Sequence, residues 1–189
     1  MLPGFFSGHA PDGGPSRSGH HAHLAFAVEL TRNRLLVVAP HVLEDRRPTR
    51  DEEKHLELLD ESLADLAELR AGAAGLLELA RSSINVHEDP LLAPAQCWES
   101  VTEYQPTRHV KHVPPEEALL SDVRAELVRR RLPAPTRIEV IDMREGPRGG
   151  LAGRLRLHFA TAVSGLIMIG RTRHIGSGLF SVDTRGNGA

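Results

Sequence analysis

The chain has 189 residues, with 23 Lys plus Arg against 25 Asp plus Glu, 11 His, 40% hydrophobic side chains and a net charge of −2. Those proportions fit one domain, or two very small ones sharing a core. They exclude wholesale disorder and a membrane-spanning bundle, because no run approaches the roughly 18 apolar residues a span needs. The opening Met1-Leu2-Pro3-Gly4 lacks a basic leader and the single Cys97 cannot close an internal disulfide, so a cytoplasmic protein with no membrane partner is expected.

Turn formers crowd residues 7–19, which read as a loop. From His23 the chain alternates, with Leu24, Phe26 and Val28 predicted to share one face, and a second β-rich run at 34–39 follows the polar turn Thr31-Arg32-Asn33. A hairpin is predicted there. Thr49 as N-cap with Glu52 three residues on makes a capping box, and Leu56, Leu59, Leu63 and Leu66 mark the apolar stripe of a helix ending near Gly72. Residues 82–113 show no period and read as irregular, although they hold Trp98 and Tyr104, the single Trp and single Tyr. A second helix opens at Pro114-Pro115-Glu116-Glu117, where Pro is tolerated and acids suit the positive end of the dipole. It buries Leu120, Val123 and Leu127 and closes at Arg129-Arg130-Arg131. Strands follow at about 137–143 and 154–160, joined by a glycine-rich hairpin connection. In the second of them Leu155, Leu157 and Phe159 face one way and Arg154, Arg156 and His158 the other. An apolar run at 166–169, a glycine-rich loop and a short strand at 179–182 complete the pattern.

Helices interspersed with hairpins favour an α+β sandwich of the ferredoxin-like kind over a doubly wound sheet. The expected division is 1–22 as a Gly/Pro/His-rich entry loop, 23–113 as a first ferredoxin-like module with an irregular connection, 114–183 as a second with the glycine-rich loop, and 184–189 as a tail.

The small net charge hides two unlike halves. Residues 1–100 carry 9 basic and 16 acidic side chains, net −7, and residues 101–189 carry 14 and 9, net +5. One anion-facing surface is the natural consequence. Only Lys54 and Lys111 are Lys, a bias that suits phosphate recognition by Arg and that a GC-rich genome would also produce.

Three segments could carry chemistry. Gly19-His20-His21-Ala22-His23 brings imidazoles, which exchange protons near neutrality, to a loop–strand junction; His23 is the first choice for a general base and His20 the second. The same spacing could share a cation with His9, but no Cys or carboxylate lies nearby to complete a zinc set, so no metal or other cofactor is expected. Polar capping of a strand end is the plainer alternative. In Gly170-Arg171-Thr172-Arg173-His174-Ile175-Gly176-Ser177-Gly178, Arg171, Arg173 and the backbone amides around Gly176 and Gly178 are candidates for phosphate contact, and His174 for a general acid. A glycine-rich turn is its structural alternative, and the Walker and dinucleotide signatures are missing. Last, Arg108, His109, Lys111 and His112 form a basic patch downstream of Trp98 and Tyr104, whose rings could stack on bases or anchor the core. Arg129, Arg130 and Arg131 either extend that RNA-binding surface or simply suit a helix C-terminus.

Taken in order, these pieces resemble a known family. Ser7-Gly8-His9 with Asp12-Gly13 and Pro15, the cluster from Gly19 to His23, and Leu36-Val37-Val38-Ala39-Pro40 come first. Trp98-Glu99-Ser100-Val101-Thr102 with Tyr104 and Arg108-His109, then Arg129-Arg130-Arg131-Leu132-Pro133, and finally residues 163–170 with Arg173-His174 and the glycines after them complete the set. They are similar to the RAMP-type Cas proteins that process CRISPR repeat RNA, in particular the C-terminal half of the Cas five–six fusion subunit of type I-U (I-G) effector complexes. The resemblance implies ferredoxin-like, RNA-recognition-motif-like modules and metal-independent cleavage of repeat RNA by attack of a ribose 2′-OH. It also implies retention of the crRNA beside other subunits of an effector complex. A non-catalytic crRNA-binding subunit is the alternative within that setting. The chain departs from the family at Glu103, where Pro is expected, and in the opening Gly-apolar-Gly, reduced here to Gly165 and Gly170. The fusion's first half is also absent, so the sequence reads as the RNA-processing half of a larger subunit.

Overall fold

The computed structural model describes residues 3–9, 14, 23–108, 112–146 and 150–183. A one-turn helix α1, Gly4–Ser7, leads to strands β1, Ala25–Glu29, and β2, Arg34–Val38, which pair antiparallel as the predicted hairpin. Its turn is a short 3-10 segment closed by Asn33 in the left-handed region, a conformation that Asn tolerates. Phe26 and Val28 share one face of β1 as expected, but that face is outward, and Leu24, just before the strand, is buried. Ala25, Ala27 and Glu29 point inward, while Phe26 and Val28 are nearly half exposed. The reason is close backbone packing: a Cβ on Gly176 would lie 3.2 Å from Ala27 Cα, a distance that suits small residues on that face. The inward Glu29 is satisfied by Arg34, its direct cross-strand partner, at 2.6 Å.

Helix α2, Pro40–Leu43, is followed by α3, Arg50–Leu63, which starts at the Thr49–Glu52 capping box with both reciprocal hydrogen bonds formed. It stops at Leu63, not near Gly72. Gly72 and Gly75, both at positive φ, close a second hairpin between β3, Glu68–Arg70, and β4, Leu76–Glu78. A glycine that reads as a helix stop in the sequence is therefore a turn between strands.

The stretch read as irregular supplies β5, Ala95–Ser100, an interior strand of a four-stranded sheet. Helix α4, Pro115–Arg129, and strands β6, Arg137–Glu145, β7, Leu151–Val163, and β8, Phe180–Val182, complete it in the order β6-β7-β5-β8, every neighbour antiparallel. This sheet takes strands from both sides of residue 113, whereas residues 23–94 form two separate hairpins with two helices between them. The class is α+β.

Leu155, Leu157 and Phe159 line one face of β7 with Trp98 opposite Leu157, and α4 lays Leu119, Val123 and Leu127 over them. Leu120, predicted on that buried face, is only partly covered, and Leu119 takes its place. Gly153 permits the close approach, since a Cβ there would meet Leu119 at 2.9 Å. Trp98 and Tyr104 are both 0% exposed, so they are core anchors and not base-stacking platforms. The Tyr104 hydroxyl donates to Asp122 at 2.5 Å, and burial, followed by that carboxylate, pushes the phenol well above its ordinary range.

Candidate functional site

The four-stranded sheet's second face carries Arg154, Arg156 and His158, but carboxylates neutralise them. Glu99 pairs with Arg154 at 3.0 Å and Arg156 at 2.7 Å, Glu139 lies 3.1 Å from both Arg156 and His158, and Asp183 lies 2.8 Å from Arg156 Nε. This face is not where the cationic excess of the second half is spent.

The excess gathers where α4 ends. Glu126, 2% exposed, is bound by Arg129 at 2.5 Å and Arg130 at 3.0 Å, one turn apart on the same helix, and by Arg173 at 3.6 Å from the glycine-rich segment. Three guanidiniums thus share one carboxylate. The spacing of Glu126 to Arg129 and Arg130 is a helical i, i+3 and i, i+4 pattern that the sequence displays, yet Glu126 was not singled out there. Arg131 follows in the left-handed region (φ 58°) as the amides of Arg131 and Leu132 close the helix, and with Arg130 and Asp45 it lines a cleft of about 240 Å³. Arg129 also donates to Thr107, which binds Asp122 at 2.7 and 2.8 Å, so the segment bearing exposed Arg108 is tied to α4.

Arg173 and His174 sit together on a 3-10 turn, Arg173–Ile175, packed against β1. That packing brings His174 to His23, 151 positions away in the chain, with ring centroids 5.5 Å apart and planes at 81°. His23 lies where the chain enters β1, fixed by the Leu24 amide bonded to Phe5 O at 2.8 Å and by Leu24 buried against Phe5 and Ala39. His23 Nδ1 is 2.7 Å from Leu24 O. A carbonyl only accepts, so the proton is on Nδ1 and the lone pair of the neutral ring is on Nε2. Gly8, at φ 70°, lies along that edge: a Cβ there would be 2.9 Å from Cδ2 and 3.1 Å from Nε2.

Six backbone amides of the glycine-rich segment are held within the protein. The amides of Arg171, Gly176 and Gly178 donate to Gln105 O, Arg173 O and Glu103 O, those of Ile175 and Ser177 to Thr172 O, and that of Leu179 to Thr102 Oγ1. Its glycines serve close packing: a Cβ on Gly178 would lie 1.8 Å from Ile169 O and one on Gly170 2.8 Å from Gln105 O. Gly176 and Gly178 therefore do not present their amides to phosphate, because those donors are already used. Thr102 anchors the segment a second time, donating to Gly176 O at 2.7 Å. Glu103, the departure from the family pattern, forms a two-pronged pair with Arg144 of β6 at 2.5 and 2.7 Å.

Of the residues chosen from sequence, the structure thus brings together His23 and His174, and next to them Arg173 with Arg129 and Arg130. Arg171 is exposed and unites with none of these through a described contact, while His20, His109 and Lys111 lie outside the described residues. Among the described residues, no three His, Cys, Asp or Glu side chains gather as a metal site, and no helix is long and apolar enough to cross a membrane. Comparison of the chain with protein-family models, with curated proteins and with solved structures returned no match. The class defined by fold and site is therefore an α+β protein with a histidine pair beside an arginine-rich helix end.

Proposed function

We propose that this protein cleaves CRISPR repeat RNA at a single phosphodiester through its two histidines and then retains the product as a subunit of a type I effector complex. The observation that carries this reading is the His23–His174 pair, chosen as base and acid from sequence and found ring against ring. His23 Nε2 accepts the proton of a ribose 2′-OH as its oxygen attacks the adjacent phosphorus. The P–O5′ bond breaks, and His174 in its protonated form gives a proton to the leaving 5′ oxygen, leaving a 2′,3′-cyclic phosphate and a free 5′-OH. Arg173 and its neighbours Arg129 and Arg130 supply positive charge for the phosphate, with Arg171 and Arg108 as outlying contacts.

The sheet order adds support. In chain order the four strands stand second, third, first, fourth, with α4 linking the first to the second, an order that supports reading this sheet as a ferredoxin-like, RNA-recognition-motif-like module. The usual second helix is replaced by the glycine-rich segment and its 3-10 turn. One observation favours the alternative of a non-catalytic crRNA-binding subunit. The amides of Gly176 and Gly178, expected as phosphate donors, are committed within the protein.

The deciding experiment incubates repeat RNA with the protein in EDTA and identifies the product's end group. A cyclic phosphate is expected. The His23→Ala and His174→Ala proteins should each lose about 10²-fold or more in rate while holding RNA as tightly as the parent. Tight binding without any cut in the parent protein would select the binding-subunit reading.

A further inference from the structure

We propose that α3 and the β3–β4 hairpin form a docking surface for another protein, one that offers an extended segment of basic side chains alternating with apolar ones. From residue 64 to residue 88 only Ala71, Leu77 and Leu79 are even partly covered, and Leu66, Leu69, Leu76, Ile84 and Val86 are between 39% and 56% exposed. A two-stranded hairpin without a core of its own is marginal in water and needs a third element to complete it. Among the described residues, β3 and β4 pair with each other alone, so both outer edges are open.

The register says what chemistry the third element has. Leu69 stands opposite Leu77 on one face of the hairpin, and on the other Glu68 stands opposite Glu78, with Arg70 opposite Leu76 beyond them. Like charges directly across a strand pair destabilise it, and a cation placed over them reverses the sign. Successive side chains of an added strand point to opposite faces. One that alternates Lys or Arg with Val or Leu therefore lays its apolar residues beside Leu69 and Leu77 and its cations beside Glu68 and Glu78.

Charge excludes the other occupants. Residues 50–88 hold ten acidic and four basic side chains, net −6, nearly all of the acidic excess of the first half. Two copies of this chain meeting here would set −6 against −6, and RNA carries the same sign. The surface belongs to a different protein.

The test uses the whole protein and a fluorescent synthetic peptide of alternating Lys and Val, with the Glu–Val peptide as control. Saturable binding of the Lys–Val peptide and hydrogen-exchange protection confined to residues 50–79 are expected, with no response to the control. Leu69→Asp makes the surface more acidic, so attraction by charge alone would strengthen. Docking instead weakens, by about tenfold for an interface anchor. The double change Glu68→Gln, Glu78→Gln should also weaken binding and flatten its salt dependence. The proposal is overturned by an L69D protein that binds as well as or better than the parent, by protection elsewhere, by absence of saturable binding, or by reversible dimerisation of the protein through this face. No RNA enters the experiment, so its failure is separate from any failure of the cleavage assay.

Discussion

At the scale of single residues, the site depends on a side chain that is missing. Gly8 is required by its left-handed backbone and also by the imidazole beside it, because any Cβ there would press on the Nε2 edge of His23. Gly8→Ala tests both consequences. The backbone effect costs about 1 kcal/mol, which leaves a folded protein. The displacement of His23, by contrast, should slow the proposed cleavage by about 10- to 10²-fold, the cost of a sub-ångström to ångström misplacement of a general base. Single-turnover rates should therefore fall while RNA affinity stays at the parent's value. A cleavage rate equal to the parent's would remove Nε2 of His23 from the role of base. The sequence held the glycine in view as part of a loop and of the Ser7-Gly8-His9 piece of the resemblance, and neither its φ nor its neighbour 15 positions away can be read from spacing.

At the scale of elements, the parts whose signal is local were legible, and those whose signal is tertiary were not. The Thr49–Glu52 box was readable because both partners lie within one turn. Strand β5 was not, because it lies between β7 and β8 and is buried through Cys97, Trp98, Glu99 and Ser100, so no alternation of polarity remains to be seen. Glu99 is buried there with Arg154 and Arg156 reaching it from β7. The phase of β1 was likewise decided by a glycine 149 positions further along. The capping box itself makes a pH prediction. Hydrogen bonding from Arg46 lowers the Glu52 carboxyl from 4.5 to about 2 against the opposing effect of burial, and the Thr49 amide adds to the lowering. A depressed carboxyl stabilises the fold fully above its unfolded value of 4.5, and that contribution is lost as pH falls toward 2. Denaturant melts at pH 7 and pH 3 should show the loss in the parent and a smaller pH dependence in Glu52→Gln, which is itself less stable at pH 7. Equal pH dependence in both proteins would show that Glu52 is not coupled to folding.

At the scale of the whole molecule, the small net charge resolves into two regions of opposite sign. Among the described residues the acidic excess lies on α3 and the β3–β4 hairpin, while basic side chains gather where α4, the glycine-rich segment and the 104–108 segment meet. Sequence arithmetic gave the sign of each half, but only the fold concentrates the second into three guanidiniums around one carboxylate. It also shows that Arg154 and Arg156 are spent on acids. Glu126 is the hinge of that arrangement, and it acts in two opposite directions. It holds α4 to the glycine-rich segment and so stabilises the fold, yet its charge offsets one of the three arginines and so weakens the attraction for phosphate. Glu126→Gln separates the two effects. Stability should fall by about 1–3 kcal/mol, because buried partners lose a charged acceptor. Affinity for repeat RNA at low salt should nevertheless rise, with the slope of log K against log salt steeper by about 0.7, the value for one further single-strand phosphate contact. Thermal melts and filter binding at a series of salt concentrations measure both quantities on the same protein. If affinity falls together with stability, Glu126 is needed to aim the guanidiniums; if the salt slope is unchanged, Arg129, Arg130 and Arg173 do not touch RNA.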